Sequence, residues 1–319
     1  MPSDPIRIGI SACLLGEEVR YDGGHKRDGF LTQTVGPFVE WVRVCPEVEV
    51  GMGIPRETIR LVQRAGTLAL FGTRSATDHT ANMETYTRRR VRELRAADLS
   101  GYIFKKGSPS CGLYRVKVYR EGSDAAPRAN GRGLFAAGLT AAMPGLPVEE
   151  EGRLHDPHLR DSFFERVFAY RRVRSLFSGR WSVGDLVAFH SREKMLMLAH
   201  DRPAYTALGR LVAAAKQTPR REVAESYAAL FLAGLEKAAT TRKHVNVLQH
   251  MAGHFKKTLN APARAELHEV IEDFRRGLVP LVVPITLLRH HVRMHEIDYL
   301  AGQTYLEPHP KELMLRNHV

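Results

Sequence analysis

Three cysteines, at positions 13, 45 and 111 of 319 residues, each follow a short apolar run and open onto a turn of small residues. Their settings are IRIGISACLLG, WVRVCPEV and GYIFKKGSPSCG. Three thiolates at three strand-to-loop junctions can converge on one inorganic centre although they are remote in sequence. A [4Fe-4S] cluster held by three of them keeps a fourth iron open for chemistry. The spacing equally suits buried structural thiols, or a zinc site completed by a histidine such as His25 or His79. It matches neither a CxxxCxxC run nor a ferredoxin run, and the chain carries no GxGxxG loop. An odd number of cysteines is a poor disulfide framework, so the expected compartment is the reducing cytoplasm.

The residues around the thiols suggest what such a centre would do. Ser11 and Ala12 let the backbone approach a cofactor closely, and Arg20, Tyr21, Asp22, His25 and Lys26 supply cations and hydrogen bonds for a substrate or for RNA. Glu47, two residues beyond Cys45, is a carboxylate suited to act as general base toward water. Ser108 is a donor toward an atom that gains charge in the transition state, and Lys105 and Lys106 add positive charge. An open iron matches a soft sulfur ligand better than oxygen.

Elements must carry these residues to one place. Ile6–Ile10, Trp41–Val44, Leu68–Phe71 and Gly101–Phe104 read as strands, with a helix over Arg56–Ala65 and a longer one from about Thr80 to Ala97. Gly131–Met143 reads as a helix and Val148 as an edge strand. Alternating strands and helices give an α/β domain with a largely parallel sheet, whose sites form beyond the carboxyl ends of the strands. The domain is expected to span residues 1–155. Residues 156–319 read as an all-α bundle, with helices over Asp161–Phe177, Val183–Ala199, Tyr205–Ala215, Arg221–Ala239, Lys243–Lys257, Ala263–Arg276 and Pro284–Ile297.

Charge divides unevenly between the halves. Residues 1–150 hold 21 Lys/Arg against 17 Asp/Glu, and residues 151–319 hold 26 against 18 with 13 of the 15 histidines. The basic helical half suits a polyanion such as nucleic acid, or simply a solvated basic surface. His190, Lys194, Lys243, Lys256 and Lys257 are its candidate RNA contacts, and Tyr299, Gln303 and Tyr305 candidate base partners. His250 and His254 form an i,i+4 pair without the glutamate of a zincin motif. No apolar run is long enough for a membrane span, and the first ten residues lack a signal peptide's apolar core.

SACLLGEEVRYDGGHKRD, CPEVEVGMGIPRE and KKGSPSCG, in that order, resemble the thiouracil desulfidase family over roughly residues 5–150. The resemblance implies a [4Fe-4S] cluster on Cys13, Cys45 and Cys111, with one open iron that takes up the departing sulfur. It implies catalytic roles for Glu47 and Ser108, and exchange of a uracil's sulfur for oxygen. VEVGMGIPRE departs from the plainer glycine–leucine stretch of relatives, which implies an altered pocket wall. WSVGDLVAFHSREKMLMLAH and RKHVNVLQHMAGHFKKTLN are similar to the DUF1722 family, and the two-domain arrangement resembles tRNA 4-thiouridine desulfidases. The implied partners are tRNA and released hydrosulfide, with no redox partner and no membrane. The alternatives are a desulfidase of free thiouracil or 4-thiouridine monophosphate, a non-catalytic iron–sulfur protein that binds nucleic acid, and sulfur insertion.

Overall fold

The computed structural model describes residues 5–64, 66–123 and 125–319. The chain divides into two compact units, Met1–Asp156 and Pro157–Val319. In the first, β1 (Ile6–Ser11), β2 (Val39–Val44), β5 (Gly101–Phe104) and β8 (Val148–Glu150) form an all-parallel sheet in the order β2-β1-β5-β8. A second sheet of β3 (Ile59–Arg64), β4 (Thr67–Gly72), β6 (Val116–Arg120) and β7 (Arg128–Gly131) runs in the order β4-β3-β6-β7 and is mixed. Helix α1 (Pro46–Glu49) follows β2, α2 (Thr80–Ala96) follows β4, and α3 (Leu134–Ala142) follows β7 and packs against α2.

Register in the first sheet places the thiols. Ser11 pairs with Val44 and Ile10 with Ile103, so β1, β2 and β5 end side by side. Ser11 Oγ accepts a hydrogen bond from Lys105 N at 2.9 Å, which carries the alignment of β1 and β5 past their last paired residues. β1 is a buried apolar strand, as a parallel sheet covered on both faces requires. Its Gly9 is forced: a Cβ there would lie 2.2 Å from the ring of the fully buried Tyr102.

The expected helix over Arg56–Ala65 is a strand instead, and Ala65 lies outside the described residues. IRLVQR is short and pairs in full with TLALFG across a hairpin, so six ladder positions outweigh a helical reading of fewer than three turns. β6 and β7 were not expected. Helix α3 begins three residues later than Gly131, because Arg128–Gly131 belongs to β7 and Gly133 keeps an extended backbone as N-cap.

The second unit consists mainly of helices: α4 (Pro157–Phe177), α5 (Val183–His200), α6 (Arg202–Ala214), α7 (Arg220–Leu235), α8 (Thr241–Ala252), α9 (Ala261–Arg275), α10 (Val282–Met294) and the short α11 (Asp298–Ala301). Ser182 and Asp185 close a reciprocal capping box on α5. Among the described residues no helix is long and apolar enough to cross a membrane. A polar network threads the core. Glu165 accepts from His200 Nε2 and, at 2.8 Å, from Arg316, while Arg316 also donates to Tyr305 O at 2.5 Å. His244 Nδ1 meets Tyr305 Oη at 2.9 Å.

Burial first, and the positive charge of Arg316 next, push the His244 imidazole down to about 4 from 6.5. The folded ring stays neutral where the unfolded one takes up a proton, so its contribution is complete above pH 6.5. It is lost as pH falls from about 6.5 to about 4, by an amount on the order of 3 kcal/mol. Denaturant unfolding of the full chain at pH 7.5, 6.0 and 4.5 should show this loss, and His244→Gln should flatten it; an unchanged slope in the variant contradicts the assignment.

Candidate functional site

The three cysteines meet where β1, β2 and β5 end. A cavity of about 290 Å³ is lined by Cys13, Cys45 and Cys111 together with Glu47 and Ser108. Cys13 sits in a turn of 3-10 helix immediately after β1. Cys45 is the N-cap of α1, with Pro46 in the first helical position, where a missing N–H costs nothing. Glu49 Oε1 accepts from Cys45 N at 2.9 Å, which fixes the turn.

The Cys111 loop is held largely through its backbone. Ser108 Oγ accepts from Ser110 N and Cys111 N, both at 3.2 Å. The start of α3 closes on it from the other side: Leu134 N donates to Pro109 O and Ala136 N to Ser110 O, each at 3.2 Å. The orphan N–H groups of a helix start and the carbonyls of the loop thereby satisfy one another. Only glycine fits at 133, since a Cβ would lie 2.4 Å from Ser110 O.

All three cysteines are free thiols, and Cys13 and Cys111 are buried. Burial pushes Cys13 up to about 11, with Lys105 opposing, and raises Cys45 and, well above the usual range, Cys111. The Cys13 thiol is further raised by Cys45, and the Cys111 thiol by both Cys45 and Cys13, which marks their proximity. Such thiols keep their protons until a metal displaces them, so they suit ligands and not free nucleophiles. Among the described residues no three His, Cys, Asp or Glu side chains stand close enough to hold a single metal ion. Ligands of one zinc would lie about 3.8 Å apart, given Zn–S bonds of about 2.3 Å. Thiolates that bind different metal atoms of a polynuclear centre stand further apart. Three thiols on the wall of one cavity supply soft sulfur donors of the kind an iron–sulfur centre takes.

His25 and His79 are not part of it: His25 Nδ1 accepts from Arg27 N at 3.2 Å, and His79 lines a neighbouring groove. Asp22 also stands outside the lining, bonded to Arg20 at 3.3 Å and to Gly24 N at 3.2 Å. Arg20, Tyr21, Lys26, Lys105 and Lys106 do line the cavity.

Glu47 accepts four hydrogen bonds on the wall of this cavity. Its Oε1 accepts from Ser110 Oγ at 2.6 Å and Ser108 Oγ at 3.1 Å. Its Oε2 accepts from Arg56 at 2.6 and 3.0 Å. Arg56, only 6% exposed, also donates to Gly53 O and Val19 O. Sequence reasoning passed over Arg56 as the first residue of a helix. The signal available was an arginine nine residues after a lone acidic candidate, with proline on its amino side.

In the helical unit, His190 is half-buried and bonded to Tyr227 Oη at 3.1 Å. Lys243 donates to His200 O and Ala238 O at 2.6 and 2.8 Å, and Tyr305 and Gln303 are buried. Each of the four makes hydrogen bonds within the unit. Lys194 lies 4.8 Å from the centre of the Tyr299 ring, and the His254 ring is 5.0 Å from the same ring. His250 is next to His254, and Lys256 and Lys257 are exposed.

Residues 8–151 match the family model of 2-thiouracil desulfurase, and residues 194–310 match a protein family of unknown function, DUF1722. YbbK of Bacillus subtilis is 30% identical over 152 residues, covering 46% of this chain and 97% of that protein. The chain belongs to the 2-thiouracil desulfurase family. YbgA of Escherichia coli K12 is 32% identical over 158 residues, 49% of this chain and 94% of that protein. The solved structure of a [4Fe-4S]-dependent thiouracil desulfidase, TudS, is 31% identical across 47% of this chain and 93% of its own, with a TM-score of 0.39. Family membership supports a desulfidase that acts on a thiolated pyrimidine.

Gly133→Ala should displace the Ser110 carbonyl and lower the stability of the first unit by about 1–3 kcal/mol, as overpacking does. Iron bound per chain after anaerobic purification should fall with it. Unchanged melting and unchanged iron would show that the loop does not depend on this contact.

Proposed function

We propose that the first unit removes sulfur from 4-thiouridine in tRNA, yielding uridine and hydrosulfide. The observation that carries this reading is Glu47, held by two serines and an arginine on the wall of the cavity that three thiols line. In this reading Cys13, Cys45 and Cys111 would hold a [4Fe-4S] cluster, which would supply a soft Lewis acid for sulfur. The cavity, at about 290 Å³, lies at the small end of ligand sites and would leave room beside a cluster for no more than a single base, flipped out of its stack.

Glu47 takes a proton from water as the water oxygen bonds to the ring carbon that bears sulfur. The carbon–sulfur bond then breaks, the sulfur leaves as hydrosulfide, and oxygen remains on the ring. Carbon keeps its oxidation state, so no redox partner is required. Arg56 fixes Oε2 and the two serines fix Oε1, so the carboxylate meets water in one orientation. Ser108, with its Oγ anchored on two amides, orients the substrate. The helical unit would recruit tRNA through its exposed basic residues, Lys256 and Lys257 among them.

Anaerobic incubation with 4-thiouridine-containing tRNA, followed by nucleoside analysis, should show uridine and sulfide in equal amounts. Persistence of 4-thiouridine with an iron-replete protein would refute the activity. Glu47→Gln should lower turnover per bound iron by about 10²–10⁴-fold, the range of general base catalysis. Lys256→Ala combined with Lys257→Ala should weaken tRNA binding and shrink its salt dependence by about two phosphate contacts. Turnover of free 4-thiouracil by that double variant should not change; a parallel fall would remove RNA recruitment from these residues.

A further inference from the structure

Helix α2 holds the Cys45 backbone, although none of its residues lines the cavity. Sheet register carries β2 to Val44, level with Ser11, and leaves the next residue to be fixed by other means. Glu49, the last residue of α1, supplies them. Its Oε1 accepts from Cys45 N at 2.9 Å, and its Oε2 accepts from Tyr86 Oη at 2.8 Å. Arg90 Nε stands 3.3 Å from that second oxygen, while another nitrogen of Arg90 donates to Arg43 O at 3.1 Å. Tyr86 and Arg90 are four residues apart on α2 and so share one face. One helix thus grips the chain on both sides of Val44: at the Arg43 carbonyl and, through Glu49, at the Cys45 amide.

The same helix reaches the third thiol. Tyr86 is 4% exposed, and its ring centre lies 6.0 Å from that of the fully buried Phe135. Phe135 sits in the first turn of α3 between Leu134 and Ala136, whose amides hold the Pro109 and Ser110 carbonyls just before Cys111. The two helices approach closely: a Cβ on Gly138 of α3 would lie 2.4 Å from Thr87 Cγ2 of α2. Interiors packed this tightly transmit displacement instead of absorbing it. Cys13, in the turn after β1, makes none of these bonds.

We propose that Glu49, held by Tyr86 and Arg90, is a positioning residue for the Cys45 ligand, and that α2 couples this ligand to Cys111 through its packing on α3. Glu49 is absent from the cavity lining, so its part is to orient a ligand from behind, as outer groups at metal sites do. The inference rests on the three-cysteine cluster proposed above for the identity of the metal centre. The competing duty for the same bonds is to hold the unit together as a whole, and that would affect all three cysteines alike.

The test uses the full chain with two readouts. One is the rate of iron loss to a chelator from the anaerobically purified holoprotein. The other is amide hydrogen exchange in the metal-free chain, isotopically labelled at cysteine alone, so that each thiol-bearing residue gives one signal. Glu49→Ala should speed exchange at Cys45 about tenfold and iron loss about 10–100-fold, the range for groups behind metal ligands. Tyr86→Phe, which keeps the ring, should move Cys45 in the same direction and leave Cys111 in place. Tyr86→Leu, which removes the ring, should move Cys45 and Cys111 together with Cys13 unchanged. Glu49→Gln retains an acceptor for the Cys45 amide and should recover most of the loss. Equal acceleration at all three amides, no acceleration at Cys45 in Glu49→Ala, or unchanged iron loss from that variant overturns the positioning role. An unmoved Cys111 in Tyr86→Leu overturns the coupling. If the wild type holds no iron, the cluster reading itself fails, and the pattern of amide exchange then decides the positioning alone.

Discussion

One carboxylate ties the three cysteine loops together. Glu47 belongs to the Cys45 loop by sequence, to the Cys111 loop through Ser108 and Ser110, and to the Cys13 loop through Arg56. The last link is indirect: Arg56 donates to Val19 O, and the Cys45 thiol lies 3.7 Å from that same oxygen. Removing the carboxylate would leave a guanidinium that is 6% exposed without its counterion, a loss of about 3–5 kcal/mol for a buried pair. The side chain proposed as the base is thus also the staple of the site, and its two oxygens divide those duties between serines and arginine.

Such a mesh would serve the proposed metal centre, because a site that must be organised at the moment of binding loses affinity to that ordering. Here the ordering is largely complete in the protein. Parallel register brings Ser11 and Val44 level, so Cys13 and Cys45 emerge two and one residues beyond a paired position. The third thiol lies seven residues beyond β5, too far for strand register to place it. Its loop is instead clamped between the Ser108 hydroxyl and the first turn of α3. Two thiols are positioned by sheet geometry and the third by a helix start.

That division explains what could be read in the sequence. Local periodicity and composition suffice for β1, β2, β5, α2 and the helices of the second unit, all of which lie within a few residues of their expected bounds. The convergence of Cys13 and Cys45 follows from the carboxyl-edge rule for parallel sheets, and the Cys111 loop leaves the same edge before α3 fixes it. IRLVQR defeats local reading because its strand state is decided by TLALFG on one side and by β6, over fifty residues away, on the other. Arg56 was hidden by the same misreading: as a helix residue it has no reason to fold back onto Glu47. Asp22 and His25 were grouped with the site by proximity along the chain, but they close their own turn, where short polar side chains bond to nearby backbone amides.

In the helical unit, much of the basic character is consumed internally. Arg172 pairs with Glu193 at 2.7 Å and joins α4 to α5, while Arg316 with Glu165 and His309 with Asp161 at 3.0 Å fasten the irregular carboxyl-terminal segment onto α4. Lys243 caps carbonyls that the ends of α5 and α7 leave near its ammonium. Net charge therefore overstates the cations available to a polyanion. What remains accessible on α8 and just beyond it is a local group, His250, His254, Lys256 and Lys257, with Lys194 and the half-buried Tyr299 beside His254. A flat ring flanked by cations is a surface that a nucleotide base and its phosphate can share, since stacking and charge act on different parts of the same residue. Any affinity of this unit for RNA is thus better sought in that group than in the charge total, because a buried guanidinium contributes to the sum but reaches no phosphate.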